Sequence, residues 1–177
     1  FPAILDAAEL LKYDSNIHWT IVGDGRLSEW LGNEISQRGL EGCVNLAGRY
    51  PVEKMPEFFL KANALLVSLK DEPIFSMTLP GKLQVYLTTG KPILAMLNGE
   101  GARMVTESGC GIACAAGDSK CLADSVRKLT FMSNEDLQAI GNRGRRLSLS
   151  EFDRQILISR LEDWMIQLSK GKMVDGV

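Results

Sequence analysis

The chain has 177 residues, enough for one domain with a sizeable core, and its 45% apolar and 24% charged content is that of an ordinary globular protein. A net charge of −2 and a pI near 5.5 supply no long-range attraction to nucleic acid, and no apolar run reaches the length of a membrane-spanning helix. Four cysteines without paired CxxC spacing, beside a single histidine, do not make a zinc site and read as reduced, buried small hydrophobes.

Ile4, Ala7, Ala8 and Leu11 recur at helical spacing, so the chain opens on a helix that ends at the polar stretch Tyr13-Asp14-Ser15-Asn16. The β-branched and aromatic run Ile17 to Val22 predicts a buried strand, stopped by Gly23-Asp24-Gly25. His18 starts that run, at its amino end, and is assigned a structural role. Helices over Leu27 to Gln37, Met55 to Asn63 and Lys82 to Thr89 then alternate with strands at Val44 to Gly48, Ala64 to Ser68 and Pro92 to Met96. Gly109 and Gly111 lead into a strand from Ile112 to Ala115, and Leu122 to Phe131 is helical again.

Ser133 and Asp136 resemble a helix-starting box before Leu137 to Leu147, with Asp where Glu is usual. Arg143, Arg145 and Arg146 read as a solvated helix end. Leu157, Leu161, Trp164, Met165 and Leu168 form one apolar stripe on a terminal helix and are expected to pack inward.

Repeated β–α alternation predicts an α/β fold, a doubly wound, Rossmann-like parallel sheet covered on both faces. Such a unit normally opens with a strand, whereas the first element here is a helix. The expectation is that residues 1–177 are one domain of a longer chain, whose first, central strand precedes Phe1.

Ligands of open parallel sheets bind outside the carboxyl ends of the strands. Three segments meet that condition. Gly23, Asp24 and Gly25 allow close backbone approach, although Ser28 breaks a GxGxxG pattern. Arg49 and Tyr50 bring a cation and a ring to the same edge. Asp71-Glu72-Pro73 leads through Thr78 and Leu79 into Pro80-Gly81-Lys82 and a helix, where free amides, the helix dipole and Lys82 form a phosphate site.

Ile21 to Gly25, Val44 to Gly48, Leu79 to Lys82 and Tyr86-Leu87-Thr88-Thr89-Gly90-Lys91-Pro92, in this order, resemble family 4 retaining glycosyltransferases, those of O-antigen and colanic-acid assembly above all. The likeness runs from Phe1 to about Leu129 and matches the C-terminal half of a GT-B fold. It implies a hexosyltransferase-type enzyme of surface polysaccharide biosynthesis, cytoplasmic or peripheral at the inner face of the membrane. The donor is a UDP-sugar, with no resident cofactor or metal and no nucleic-acid partner. A saccharide or lipid-linked acceptor would sit on a separate N-terminal domain, so this half alone is expected to be inactive.

On that likeness Gly23, Asp24 and Gly25 line the donor cleft, Arg49 and Tyr50 lie beside the base, and Thr78, Leu79, Gly81 and Lys82 meet the diphosphate. Two glutamates that many relatives carry fall on Met77 and Val85 here, leaving Glu72 and Gln84 as polar candidates for the ribose. Gln84 is about 100° around the helix from Val85. No catalytic residue is assigned. The competing readings are a nonenzymatic nucleotide-binding module and an NAD-dependent dehydrogenase domain, the latter opposed by the missing GxGxxG.

Overall fold

A computed structural model describes residues 1–170. The chain starts with helix α1 (Pro2–Leu10), followed by β1 (Trp19–Val22), α2 (Ser28–Gln37) and β2 (Val44–Gly48). A short 3-10 turn, Val52–Lys54, leads into α3 (Met55–Lys61), and β3 (Leu65–Ser68), α4 (Pro73–Ser76), α5 (Gly81–Thr88) and β4 (Ile93–Met96) come next. The remaining elements are α6 (Glu100–Ser108), β5 (Gly111–Cys114), α7 (Ser119–Thr130), α8 (Asn134–Glu151) and α9 (Arg154–Ser169).

Every strand pairing is parallel, and at least one helix separates each strand from the next. The strands form two groups, β1-β2 and β3-β4-β5. β4 has a neighbour on each side and all four of its residues are buried, which explains its uniformly apolar Ile93-Leu94-Ala95-Met96 sequence. α1 packs on both groups: Leu5 and Ala8 join the core around β2 and α2, while Ile4, Ala7 and Leu11 join that of β4, β5 and α7. A third core places Leu83 and Leu87 of α5 against Val67, Ile93 and Ala95.

Most expected boundaries hold to within two residues, because glycines and prolines mark them. The strand expected from Ile17 starts at Trp19; Ile17 is buried in the preceding turn, and His18 is exposed outside the strand. Two helices were not expected. α4 is a single turn inside what reads as a loop, and α6 has an amphipathic Glu-Gly-Ala-Arg pattern whose glycine hides its period. Arg143 is not simply solvated, since its Nε donates to Gly109 O at 2.7 Å and ties α8 to the end of α6.

Ser133 caps α8 by accepting from Asp136 N at 3.1 Å. The return bond of the box is replaced, because the shorter Asp136 side chain accepts from the Ser133 hydroxyl at 2.8 Å. The inward packing expected of the terminal stripe is overturned. Leu157, Leu161, Trp164, Met165 and Leu168 are exposed, and α9 buries no residue, because within the described residues it meets little besides α8. No helix among those residues is long and apolar enough to cross a membrane.

Candidate functional site

Because each sheet is parallel, the segments that leave its strands emerge along one edge. Gly23 N donates to Gly48 O at 2.7 Å, continuing the β1-β2 ladder one step past its last strand pair. Gly23 has φ +133°, a conformation that side chains with a Cβ rarely adopt, so the chain can swing out into the exposed Asp24-Gly25 turn. This brings Asp24 and Arg49 together, with Arg49 Nε 4.0 Å from Asp24 Oδ1. Both side chains are largely exposed, so the pair adds little stability and Arg49 stays available to an anion. Tyr50 stands edge-on to Phe58 of α3 at 4.8 Å between centroids, which fixes its ring while leaving it 45% exposed.

The second group lies beyond β3. Glu72 is the N-cap position of α4, and its carboxylate is 3.9 Å from Lys70 Nζ. Thr78 Oγ1 donates to Ile74 O at 2.5 Å, so its hydroxyl closes the end of α4. Gly99, with φ +76°, lies where a Cβ would meet Ser76 O at 1.8 Å. The turn after β4 is thereby pressed against α4 and sets the path of Met77 to Pro80 into α5. Leu79 is half-buried against the α5 core and anchors that approach.

Pro80 is the N-cap of α5 and Gly81 its first residue, so the proline stands one place ahead of the first turn. Pro80 O accepts from Leu83 N at 2.9 Å, but no side chain caps the helix and its first turn holds no acidic residue. The N–H groups of Gly81 and Lys82 therefore have no acceptor among the described residues, and both residues are exposed. Lys82 has no carboxylate within ion-pairing distance among those residues. Two free amides lie at a positive helix end, on a turn that also carries a lysine with no ion-pair partner among the described residues, an arrangement suited to a phosphate.

The two groups are not joined by hydrogen bonds or ion pairs among the described residues. Gly23, Asp24, Gly25, Arg49 and Tyr50 belong to the β1-β2 edge; Glu72, Thr78, Leu79, Gly81, Lys82 and Gln84 belong to the β3-β4 edge. Gln84 and Val85 are both exposed on α5, and Met77 is exposed ahead of it. Asn98, which follows β4, belongs to the same edge. Its Nδ2 donates to Asp71 Oδ1 at 2.7 Å and its Oδ1 accepts from Ala116 N at 3.1 Å, linking the exits of β3, β4 and β5. The rule that finds the other residues, position just beyond a strand, would have found this one also.

Residues 2–130 match the family described as Glycosyl transferases group 1. The chain belongs to this family. No curated protein matches its sequence. Among solved structures, this glycosyltransferase domain is similar to a glycosyltransferase from Rickettsia africae, with TM-score 0.75 and 15% identity over 94% of this chain and 44% of that one. It is also similar to Anabaena Alr3699/HepE, solved in complex with UDP and glucose, with TM-score 0.73 and 19% identity over 93% and 44%. A third similar structure is the C-terminal domain of the group 1 protein LpcC from Francisella tularensis, with TM-score 0.62, 14% identity, and 86% and 80% covered. The chain thus has the fold of the C-terminal half of a GT-B glycosyltransferase, and it spans less than half the length of the first two proteins.

Proposed function

We propose that this domain binds the UDP-sugar donor of a retaining glycosyltransferase, and that transfer requires a second, acceptor-binding domain. The observation that carries this reading is the uncapped amino end of α5, where the Gly81 and Lys82 amides and the Lys82 ammonium are free at the carboxyl edge of the sheet. A diphosphate bound there would place its charge on the positive helix end. As the sugar leaves, the charge growing on the diphosphate would be stabilised by the same groups. Arg49 and Tyr50 would lie on the base side, with the half-exposed Tyr50 ring offering a stacking face.

Glu72 and Gln84 are the polar groups assigned to the ribose, in place of the acidic residues that Met77 and Val85 do not supply. UDP in complexes of the similar Anabaena enzyme supports the choice of nucleotide. A place in surface polysaccharide assembly follows from the sequence likeness, and a structural match to WaaG, a glycosyltransferase involved in lipopolysaccharide biosynthesis, agrees with it. The protein would work in the cytoplasm or at the inner face of the membrane, where nucleotide sugars meet a lipid-linked acceptor.

Calorimetric titration tests this reading. The chain is expected to take up UDP and UDP-sugar, to ignore NAD, and to release no sugar-transfer product when supplied with UDP-sugar and saccharide acceptors. Uptake of NAD without UDP would discard it, and turnover by the isolated domain would discard the need for a partner domain.

A further inference from the structure

Folding brings two of the four cysteines into contact. Cys114 ends β5, Cys121 lies in the first turn of α7, and their Sγ atoms are 2.6 Å apart. The other two are differently placed: the Cys43 thiol donates to Leu40 O at 3.5 Å, and the buried Cys110 thiol turns to Val105 O at 4.0 Å.

The short chain between Cys114 and Cys121 is held from several sides. Ala116 N donates to Asn98 Oδ1 at 3.1 Å, Gly117 makes the turn with φ +82°, and Asp118 caps α7 by accepting from Cys121 N at 2.8 Å. With this backbone fixed, the two sulfurs face each other without a further ordering cost.

They differ in access. An open cleft beside α7 is lined by Cys121 and Ser125, whereas Cys114 is 5% exposed, with its Sγ 3.3 Å from Ser125 Oγ. Burial, and then the neighbouring Cys121, push the Cys114 thiol up to about 11, so it holds its proton at neutral pH. An oxidant entering the cleft meets Cys121 first, with a second thiol in place to receive what forms there.

We propose that Cys114 and Cys121 are a reversible oxidation site, a thiol pair that a small hydroperoxide converts into a disulfide clamping the end of β5 to α7. Cys121 Sγ attacks one peroxide oxygen; the O–O bond breaks and the departing hydroxide takes the thiol proton as water, leaving a sulfenic acid. Cys114 Sγ then attacks Cys121 Sγ; the S–O bond breaks, and the hydroxyl leaves as water with the Cys114 proton. The two thiols together lose two electrons and two hydrogens, and the peroxide is reduced to two waters. Because the sulfurs already touch, closure requires only a small shift of β5 and α7. The ring it makes is short, so the bond gains less from chain entropy than a long-range one and stays open to reduction by thiols.

Peptide mapping of the folded 177-residue chain tests the site, because trypsin cuts after Arg103, Lys120 and Arg127 and so divides the pair between peptides 104–120 and 121–127. The reduced chain is treated with a slight excess of hydrogen peroxide, and remaining thiols are blocked with N-ethylmaleimide. The two peptides should then appear joined, lighter than their sum by two hydrogens, with fragment ions placing the bond on Cys114; dithiothreitol should separate them. The oxidised chain should melt about 5–10 °C above the reduced one, the gain expected of so small a ring. Cys121→Ser should abolish the joined peptide, and Cys114→Ser should leave Cys121 as a sulfenic acid that dimedone labels. The map of the parent chain decides the matter even where Cys114→Ser fails to fold. Both thiols still open to maleimide after peroxide would mean a pair that is only packed, and would overturn the proposal. So would a bond to Cys43 or Cys110, a bond that dithiothreitol does not reverse, or an oxidised chain that melts no higher than the reduced one.

Discussion

Lys82 sits one residue inside the amino end of α5, and its assignment to phosphate separates it from every group assigned to base or ribose. Removing a charged hydrogen bond costs roughly 1.5–3 kcal/mol, so Lys82→Ala should raise the UDP dissociation constant by about 10- to 150-fold. Uridine binding should hardly change. Parallel titrations decide the matter, with a melting curve to establish folding; equal weakening of both ligands would move Lys82 off the diphosphate. Cys114 offers a different residue-scale test. Burial, and then its contact with the Cys121 thiol 2.6 Å away, push its pKa from an ordinary 9.0 up to about 11. The folded chain therefore holds this proton more tightly than the unfolded one. Its contribution to stability is complete below about pH 9 and is lost as pH rises towards 11. Urea midpoints measured from pH 8 to pH 11 should fall less steeply in Cys114→Ala than in the parent, and parallel curves would acquit Cys114.

At the scale of elements, the site depends on how α4 and the turn after β4 deliver the chain to α5. Gly99 is the tight point, with positive φ and no room for a Cβ beside Ser76 O. Gly99→Ala must displace α4 or the turn, an overpacking cost of roughly 1–3 kcal/mol before the backbone strain is counted. Chemical denaturation should show that loss, and UDP should bind more weakly because α4 sets the path to Gly81. Loss of stability with unchanged UDP affinity would show that α4 does not position the site. Asp71, Asn98 and Ala116 join three strand exits by two hydrogen bonds, so the β3-β4-β5 edge is braced independently of α4.

Across the whole molecule, the two strand groups are held by unequal means. β4 is buried between two neighbours, whereas β1 has one partner among the described residues and none of its residues is fully buried. Leu5 of α1 is completely buried in the core of the β1-β2 group. Leu5→Ala should cost about 2–5 kcal/mol, felt first in that group. Native-state hydrogen exchange is expected to show β1 and β2 opening at lower free energy than β4, with the gap widened by the substitution. Uniform loss of protection in all five strands would mean that the two groups unfold as one.

The strands and most helices were legible in the sequence because each is bounded by glycine, proline or a polar break and has its own period. The uncapped start of α5 was legible for a similar reason: a helix start after a strand leaves amides that no local partner can take. Local pattern could not tell where α9 would pack, since a helical stripe records only that an apolar face exists and says nothing of what lies opposite. It also hid α4, a single turn with no period, and α6, whose glycine interrupts the helical signal. The Asp24-Arg49 pair and the Asn98 bridges join residues distant in the chain, so only strand pairing and packing decided them. Periodicity alone fixes which residues share a face, whereas hydrogen bonds between separate strands decide which edges are paired, and it is those bonds that divide this sheet between β1 and β3.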